Sequence, residues 1–313
     1  MRPLRRRRPE APQGPGVLLL VAVLTGGLLA GCTSGTPTTA AQTGAAPTIR
    51  FASYDFQENQ TLVEVYAAAA RRRGLPVSVQ HGIGPREVVS PALQQGVVDV
   101  VIDYLGTALT FARPDFHDLP DSPAEMHAVL ARVMGGRGVT VLNAARAEDQ
   151  NGFAVTNAFA TAHGITELSQ LAPLAGGLTF GGPPECPDRP LCLSGLRNVY
   201  GLRFANVLSM PTRAATVEAL ISGQIDVGLL ETTDARLSVA PVMLLQDDRS
   251  LQPPENVVPF VRSDAVRRWT ALRTALDEVS ARLTTADLVE LNRSVEVDDL
   301  TPAAAAARWW AAG

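Results

Sequence analysis

Residues 92–109 (ALQQGVVDVVIDYLGTAL) and 219–236 (ALISGQIDVGLLETTDAR) repeat one pattern at a constant offset of 127. The offset pairs Ala92 with Ala219, Leu93 with Leu220 and Gly96 with Gly223. It also pairs Asp99 with Asp226, Val100 with Val227 and Ala108 with Ala235. Each copy reads as a helix end stopped by Gly, then a buried β run, then a short polar turn. Gly suits a left-handed helix stop. The run Val97, Val98, Val100, Val101, Ile102, broken by Asp99, predicts a strand buried on both faces, the habit of parallel sheets in α/β proteins. Helix–Gly–strand is common grammar, so chance is the alternative explanation of the repeat. Taken as a repeat, it predicts an α/β fold of two lobes. Ligands in open α/β sheets sit beyond the carboxyl ends of the strands. Asp103, Tyr104 and Thr107 stand there in the first copy, and Glu231, Thr232 and Asp234 in the second. Tyr104 falls on Glu231, so both would line a cleft between the lobes.

A chain of 313 residues holds about two domains. Hydrophobic residues at 46% and charged residues at 19% are globular values. Lys is absent and every basic residue is Arg or His. Residues 1–31 carry five Arg and one Glu, a charge of +4, so the remainder carries −8 against −4 for the whole chain. An acidic body without a basic stripe argues against a nucleic-acid partner.

The first 31 residues read as a signal peptide, with Arg2 and Arg5 to Arg8 before an apolar run from Val17 to Ala30. That run is short for a transmembrane span. Leu29-Ala30-Gly31-Cys32 resembles a bacterial lipobox, which implies cleavage before Cys32 and acylation of that Cys. An ordinary signal peptide with an incidental Cys is the alternative. Residues 32–47 read as the acylated Cys and a flexible tether, whose fifteen residues 33–47 have a root-mean-square span of roughly 20 Å. The expected location is extracytoplasmic, anchored by lipid to the outer face of the cell membrane, and the expected state is a monomer.

Cys186 and Cys192 remain. Export to an oxidising compartment predicts a bridge between them. Closing that short loop would contribute roughly 2–2.5 kcal/mol on the chain-entropy model. A metal site is the rival, but none of the His residues is near in sequence. Along the chain, strands are expected at 48–53, 77–80, 139–142, from Phe153, at 178–180, 242–245 and 257–261. Helices are expected over 85–95, 122–135 and 212–222, with crossings between lobes near 150 and 257. GGPPECPDRPLC (181–192) is expected to be an irregular stiff loop. Ser263 should cap one helix running through Val266, Trp269, Leu272, Leu276, Val279 and Leu283. Thr284 with Asp287 should open the next, and Thr301-Pro302 the last. Trp309 and Trp310 are adjacent, so one helix face cannot bury both.

No Gly-rich phosphate loop, HExxH or GxSxG occurs, and His81, His117, His127 and His163 stand without a nucleophile spaced to suit them. No enzymatic activity and no cofactor are expected. The sharpest polar pair is Glu185 with Arg189, four apart in the Cys-closed loop. Arg presents a planar fork that matches a carboxylate. A structural ion pair holding the loop is the other reading.

FGGPPECPDRPLCLSGLRNVYGLRF (180–204) resembles the signature of the glycine betaine/carnitine/choline (osmoprotectant) binding proteins of ABC transporters. SYDFQENQTL (53–62), GPREVVSPALQQGVVDVVIDYLGTAL (84–109), DQNGFAVT (149–156), ETTDARL (231–237) and LQDDRSLQPPENVVP (245–259) resemble it in the same order. The resemblance implies a two-lobed periplasmic-binding-protein fold (type II) with two inter-lobe crossings. The lobes would be 48–149 with 257–313, and 150–256. It implies a small quaternary-ammonium or zwitterionic solute delivered to an ABC permease and its ATPase. It also implies an aromatic cage for the ammonium and an Arg for a carboxylate. Matched motif by motif, the ligand-binding residues would be Tyr54, Tyr104, Thr107, Asn151, Phe153, Glu185, Arg189, Glu231 and Glu255. Glu231 and Glu255 stand where the family often has Tyr, and Tyr54 where many members have Lys. A cleft thinner in aromatics and richer in acid leaves a primary or secondary amine, or a polar zwitterion, open. A secreted enzyme on the same cleft and a ligand-free scaffold lipoprotein are the other classes considered.

Overall fold

The computed structural model describes residues 47–115, 119–120 and 122–312. The signal peptide, Cys32, the tether and His117 lie outside the described residues.

The first half of the chain alternates strand and helix: β1 (Ile49–Ala52), α1 (Gln57–Arg72), β2 (Val77–Gln80), α2 (Arg86–Gln95), β3 (Val100–Tyr104), α3 (Leu105–Ala112), α4 (Pro123–Gly135) and β4 (Val139–Val141). The chain then crosses into β5 (Asn151–Thr156), α5 (Asn157–His163), β6 (Thr179–Gly182), α6 (Leu193–Tyr200), β7 (Asn206–Ser209), α7 (Arg213–Ile221), β8 (Val227–Glu231) and β9 (Val242–Leu245). It returns through β10 (Val257–Arg262) to α8 (Ser263–Arg268), α9 (Thr270–Arg282), α10 (Thr285–Glu296) and α11 (Pro302–Ala312). The strands make two five-stranded sheets, ordered β2-β1-β3-β10-β4 and β7-β6-β8-β5-β9.

Those two orders are the same order. β3 and β8, the two copies of the repeat, hold the same central place in their sheets. β10 and β5 also correspond, and each is the strand that arrives from the other lobe. Both run antiparallel to their neighbours. The sheets are therefore mixed rather than purely parallel, because the crossing strand enters from the opposite end. This is the two-lobed α/β architecture expected from the repeat.

Local chemistry explains where the elements begin. β3 is buried at every position, but it starts at Val100 rather than Val97. Gly96 turns left-handed at φ 77°, and the N–H groups of Val97 and Val98 donate to the Ala92 carbonyl at 2.9 and 3.3 Å. Those amides cap α2 and are lost to the sheet. Gly181 and Gly182 belong to β6 and not to the loop that follows. A Cβ on Gly181 would stand 2.5 Å from Ile225 Cδ1, so glycine here permits close packing, and the irregular loop begins at Pro183. Cys186 and Cys192 are bridged, with Cα atoms 5.3 Å apart. The helix expected from Ser263 is two helices broken at Trp269 (φ −113°, ψ 79°), and Ser263 lies inside the first. Apolar spacing survives the break, so the periodicity alone could not reveal it. Trp310 is 8% exposed and donates to the Val65 carbonyl at 3.0 Å, while Trp309 is only partly buried.

The paired glycines give a direct test. A Cβ on Gly223 (φ 73°) meets nothing within 4 Å, whereas one on Gly96 would stand 2.0 Å from Arg262 Nη1. Gly223→Ala should cost about 1 kcal/mol, the left-handed penalty alone. Gly96→Ala should cost more, because it also displaces a guanidinium that contacts Asp264 and Asp99. Urea unfolding of the two variants checks the order, and equal losses would contradict it.

Candidate functional site

The carboxyl ends of β3 and β8 are each organised by an ion pair. Arg86, the first residue of α2, donates from Nη2 to Asp103 Oδ1 at 2.6 Å and from Nε to Oδ2 at 3.2 Å. Arg213, the first residue of α7, donates from Nε to both oxygens of Glu231 at 2.6 Å, and its Nη2 also donates to Glu231. Arg86 and Arg213 are themselves related by the offset of 127. Sequence reasoning missed both, although extending the repeat six residues upstream of Ala92 finds them. Burial works against both guanidinium charges. Asp103 and Glu231 override it and hold the groups above their usual range.

Three aromatic rings line up beside the first pair. Tyr54 stacks on Phe56 with centroids 6.1 Å apart, and Phe56 meets Tyr104 at 6.2 Å. The Arg86 guanidinium stands 5.0 Å from the Tyr54 centroid. Both phenols are anchored by acids. Tyr54 donates to Asp103 Oδ2 at 2.5 Å, and Tyr104 donates to Glu58 Oε1 at 2.6 Å. Burial, then the facing carboxylates, push both phenols well above their ordinary range, so each remains a donor. Phe56 and Glu58 lie within the family-like stretch 53–62 but had no role assigned from sequence.

The two halves meet at these acids. Glu58 of α1 accepts Tyr104 on one oxygen. On the other it accepts the Thr233 hydroxyl at 2.5 Å and Asn292 Nδ2 at 2.7 Å. Thr233 follows β8, so this bond joins the lobes. Asp149, at the first crossing, accepts the Thr232 hydroxyl at 3.1 Å and the Thr233 N–H at 3.2 Å. Burial raises the Glu58 carboxyl, against the pull of its three donors. Burial also raises Asp149 well above the carboxylate range, helped by the charges of Glu58 and Glu231. Nearby, Arg236 pairs with Glu296 at 3.2 Å and with Asp234 at 3.1 Å, tying the turn after β8 to α10.

The remaining residues expected from sequence fall in different places. Thr107 and Glu255 meet, the threonine hydroxyl donating to Glu255 Oε1 in a short bond. Glu255 is 1% exposed, and its Oε2 has no hydrogen-bond partner among the described residues. Burial lifts its carboxyl from 4.5 to about 8, over the opposing Thr107 hydroxyl and Arg86 charge. Asn151 donates to the Leu191 carbonyl at 3.2 Å and thereby holds the Cys-closed loop. Phe153 is 1% exposed and packs 6.3 Å from Phe180 in the second lobe's core. Its position on the strand directs it into that core. Arg189 reaches the other lobe. Its Nη2 donates to Glu87 Oε2 at 3.0 Å and lies 3.5 Å from Glu185. Glu231 is no free acid, since Arg213 grips it. In all, Glu58, Asp103, Asp149, Glu231 and Glu255 gather around Arg86 and Arg213, an excess of three carboxyls beside three aromatic rings.

Residues 47–312 match the family model described as the substrate binding domain of ABC-type glycine betaine transport systems. The chain is 28% identical over 272 residues to a glycine-betaine-binding protein of Pseudomonas aeruginosa, covering 84% of this chain and 86% of that one. It is 22% identical over 254 residues to a carnitine transport binding protein, OpuCC, of Listeria monocytogenes, covering 78% and 80%. A crystal structure described as a glycine betaine/carnitine/choline ABC transporter shares the fold with a TM-score of 0.66. The two are 20% identical, over 83% of this chain and 97% of that one. A choline-binding protein solved with choline gives a TM-score of 0.63 at 18% identity, over 84% and 87%.

The raised Glu255 carboxyl makes stability pH-dependent. Below about 4.5 it is protonated in both the folded and the unfolded chain. Between 4.5 and about 8 the folded chain keeps a proton that the unfolded chain releases, so stability falls as pH rises and levels off above 8. Glu296, lifted to about 8 by burial and by Asp234, adds a second loss over the same window. Urea midpoints of the ligand-free protein should fall from about pH 5 to about pH 8, and Glu255→Gln should flatten part of that slope. An unchanged slope in the variant would count against the buried acid.

Proposed function

Because the chain belongs to the family of substrate-binding domains of ABC-type glycine betaine transport systems, we propose that it captures a small ammonium-bearing solute, cationic or zwitterionic, and delivers it to an ABC permease driven by its ATPase. The observation that carries this reading is the excess of buried carboxyls beside Tyr54, Phe56 and Tyr104 where the two lobes meet. Aromatic faces attract an ammonium through their quadrupole, and a carboxyl that ionises beside the cation adds a charge-assisted contact. The fold performs binding and not turnover in this reading.

The lobes, 48–149 with 257–313 and 150–256, move as bodies about the two crossings. The crossings brace one another: Asp149 N–H donates to the Glu255 carbonyl at 3.1 Å, and Val257 N–H to the Ala147 carbonyl at 2.9 Å. A short paired hinge of this kind absorbs rotation in few residues. Cys32 anchors the mature chain by lipid to the outer face of the membrane, where the monomer hangs on its tether.

We assign Arg189 to the rim, tying the lobes through Glu87, and not to a ligand carboxylate. The pair is partly exposed, at 28% and 46% of side-chain area, so solvent screens it. Calorimetric titration should find that one or more of glycine betaine, choline and carnitine bind. Arg189→Ala should weaken betaine and choline alike, by no more than roughly fivefold, the value of an exposed pair. Loss of betaine alone, by a hundredfold or so, would return Arg189 to the ligand carboxylate. Silence for every ammonium compound would remove the receptor reading.

The anchor is tested separately. Cys32→Ala expressed in a bacterium with a lipoprotein pathway should lose acyl labelling and its membrane association. Continued labelling of that variant would refute the anchor.

A further inference from the structure

Resting on the receptor reading above, we propose that Asp234, Arg236 and Glu296 form a proton-sensitive latch between the lobes. Joining the lobes takes up one proton at the two carboxyls, so the hold on the solute weakens as pH rises.

The three side chains come from both lobes. Asp234 and Arg236 stand in the turn after β8, whose Leu237 packs against the second lobe's core. Glu296 ends α10, whose Leu288, Leu291 and Val295 lie in the first lobe's core. Both acids use the same guanidinium nitrogen. Arg236 Nη1 stands 3.1 Å from Asp234 Oδ1 and 3.2 Å from Glu296 Oε2. The Ala235 N–H also donates to Glu296 Oε2, at 3.3 Å, and Arg236 Nη2 donates to Gln57 Oε1 on α1 at 3.3 Å. The two acids lie within hydrogen-bonding reach of each other. Two ionised carboxylates are acceptors only, so a bond between them needs a proton on one.

The cluster is buried, with side-chain exposures of 1% for Asp234, 14% for Arg236 and 7% for Glu296. With both acids ionised, one Arg would face two negative charges in a place that water screens little. A single proton makes the set neutral. The surroundings add negative charge. From β8, Glu231 opposes ionisation of both acids, and its own partner Arg213 is engaged with it. From α1, Glu58 is taken by Tyr104, Thr233 and Asn292. Arg293 on α10 and Arg308 on α11 lie instead against Glu290 and Asp298. Burial, then the charge of Asp234, lift the Glu296 carboxyl from 4.5 to about 8, over the pull of Arg236.

Asp234 and Arg236 are two residues apart in one turn, so they stay paired when the lobes part. Glu296 leaves with α10, regains water and ionises at its ordinary value of 4.5. Below about 4.5 it is protonated in both states, and pH has no influence on the movement. Between 4.5 and about 8, joining takes up a proton, and the joined state loses ground as pH rises. Above 8 Glu296 is ionised in both states and the dependence ends. The solute is held in the joined state, so its affinity follows the same course.

Glycine betaine and choline suit the test because neither gains or loses a proton near neutral pH. Titrations at about pH 6.5 in two buffers of different ionisation heat count the protons taken up on binding. Glu296→Gln keeps the side-chain length and still accepts from Arg236, but it cannot ionise. Asp234→Asn leaves Arg236 to Glu296 alone, so Glu296 stays ionised in both states. The native protein should take up close to one proton more per solute bound than either variant. Its affinity should also fall roughly tenfold or more further than theirs between about pH 6 and pH 8. Equal proton uptake in all three proteins overturns the proposal, whatever their affinities. So does a native fall in affinity that both variants reproduce. Either result leaves the receptor reading standing, whereas failure of every ammonium compound to bind removes both.

Discussion

The site depends on a guanidinium placed where a helix does not favour one. Arg86 and Arg213 each occupy the first position of a helix, next to exposed backbone N–H groups and the positive end of the helix dipole. A cation there is disfavoured by about 0.3–1 kcal/mol. Arg86 is also buried and Arg213 largely covered, which adds a larger desolvation cost. Both are stabilised by the carboxylate at the end of the strand that follows, Asp103 or Glu231. Removing one partner of such a pair leaves an uncompensated buried charge and costs roughly 3–5 kcal/mol. The pairs therefore fix the strand ends, and the strand ends fix everything else at the meeting of the lobes. Asp103 orients the Tyr54 hydroxyl, and Arg213 holds Glu231 away from acting as a free acid.

Much of this architecture is legible in the amino-acid sequence because it is said twice. The offset of 127 marks two strands that hold the same place in two sheets of the same order. Gly96 and Gly223 stop their helices in the same left-handed conformation. The limits of that reading are physical. Phe153 lies in a strand whose neighbours on both sides are not visible from periodicity, so its direction into the core could not be read. Glu231 looked like a lone acid because its partner, Arg213, stands eighteen residues earlier on another element. The contact of Arg189 with Glu87 was not legible, because the two are 102 residues apart. The break at Trp269 escaped because the apolar spacing runs straight through it. Pairings of this kind belong to the tertiary structure, and only the repeat gave a handle on any of them.

The meeting of the lobes also holds buried acids without an ion-pair partner. Glu58 and Glu255 show two ways of carrying a buried carboxyl. Glu58 is surrounded by donors, Tyr104, Thr233 and Asn292, and is satisfied as it stands. Glu255 has one donor and one orphaned oxygen. The first acid is satisfied by the fold's own donors, and the second is held protonated by burial up to about pH 8.

The ties between the lobes are individually small. Thr233 to Glu58 is one neutral donor on a carboxyl that keeps Tyr104 and Asn292 when the lobes part, because both of those come from the first lobe. Its net contribution is of the order of one hydrogen bond to a charged group, about 1.5–3 kcal/mol. Arg189 to Glu87 is partly exposed and worth less, about 0–1 kcal/mol. Arg236 to Glu296 is better buried, but its carboxylate is one that burial pushes toward protonation, which weakens it as a charge partner. A few kcal/mol of such contacts lie within the range that one ligand's differential affinity can shift. A contact made only in the joined state therefore weighs against ties of similar size.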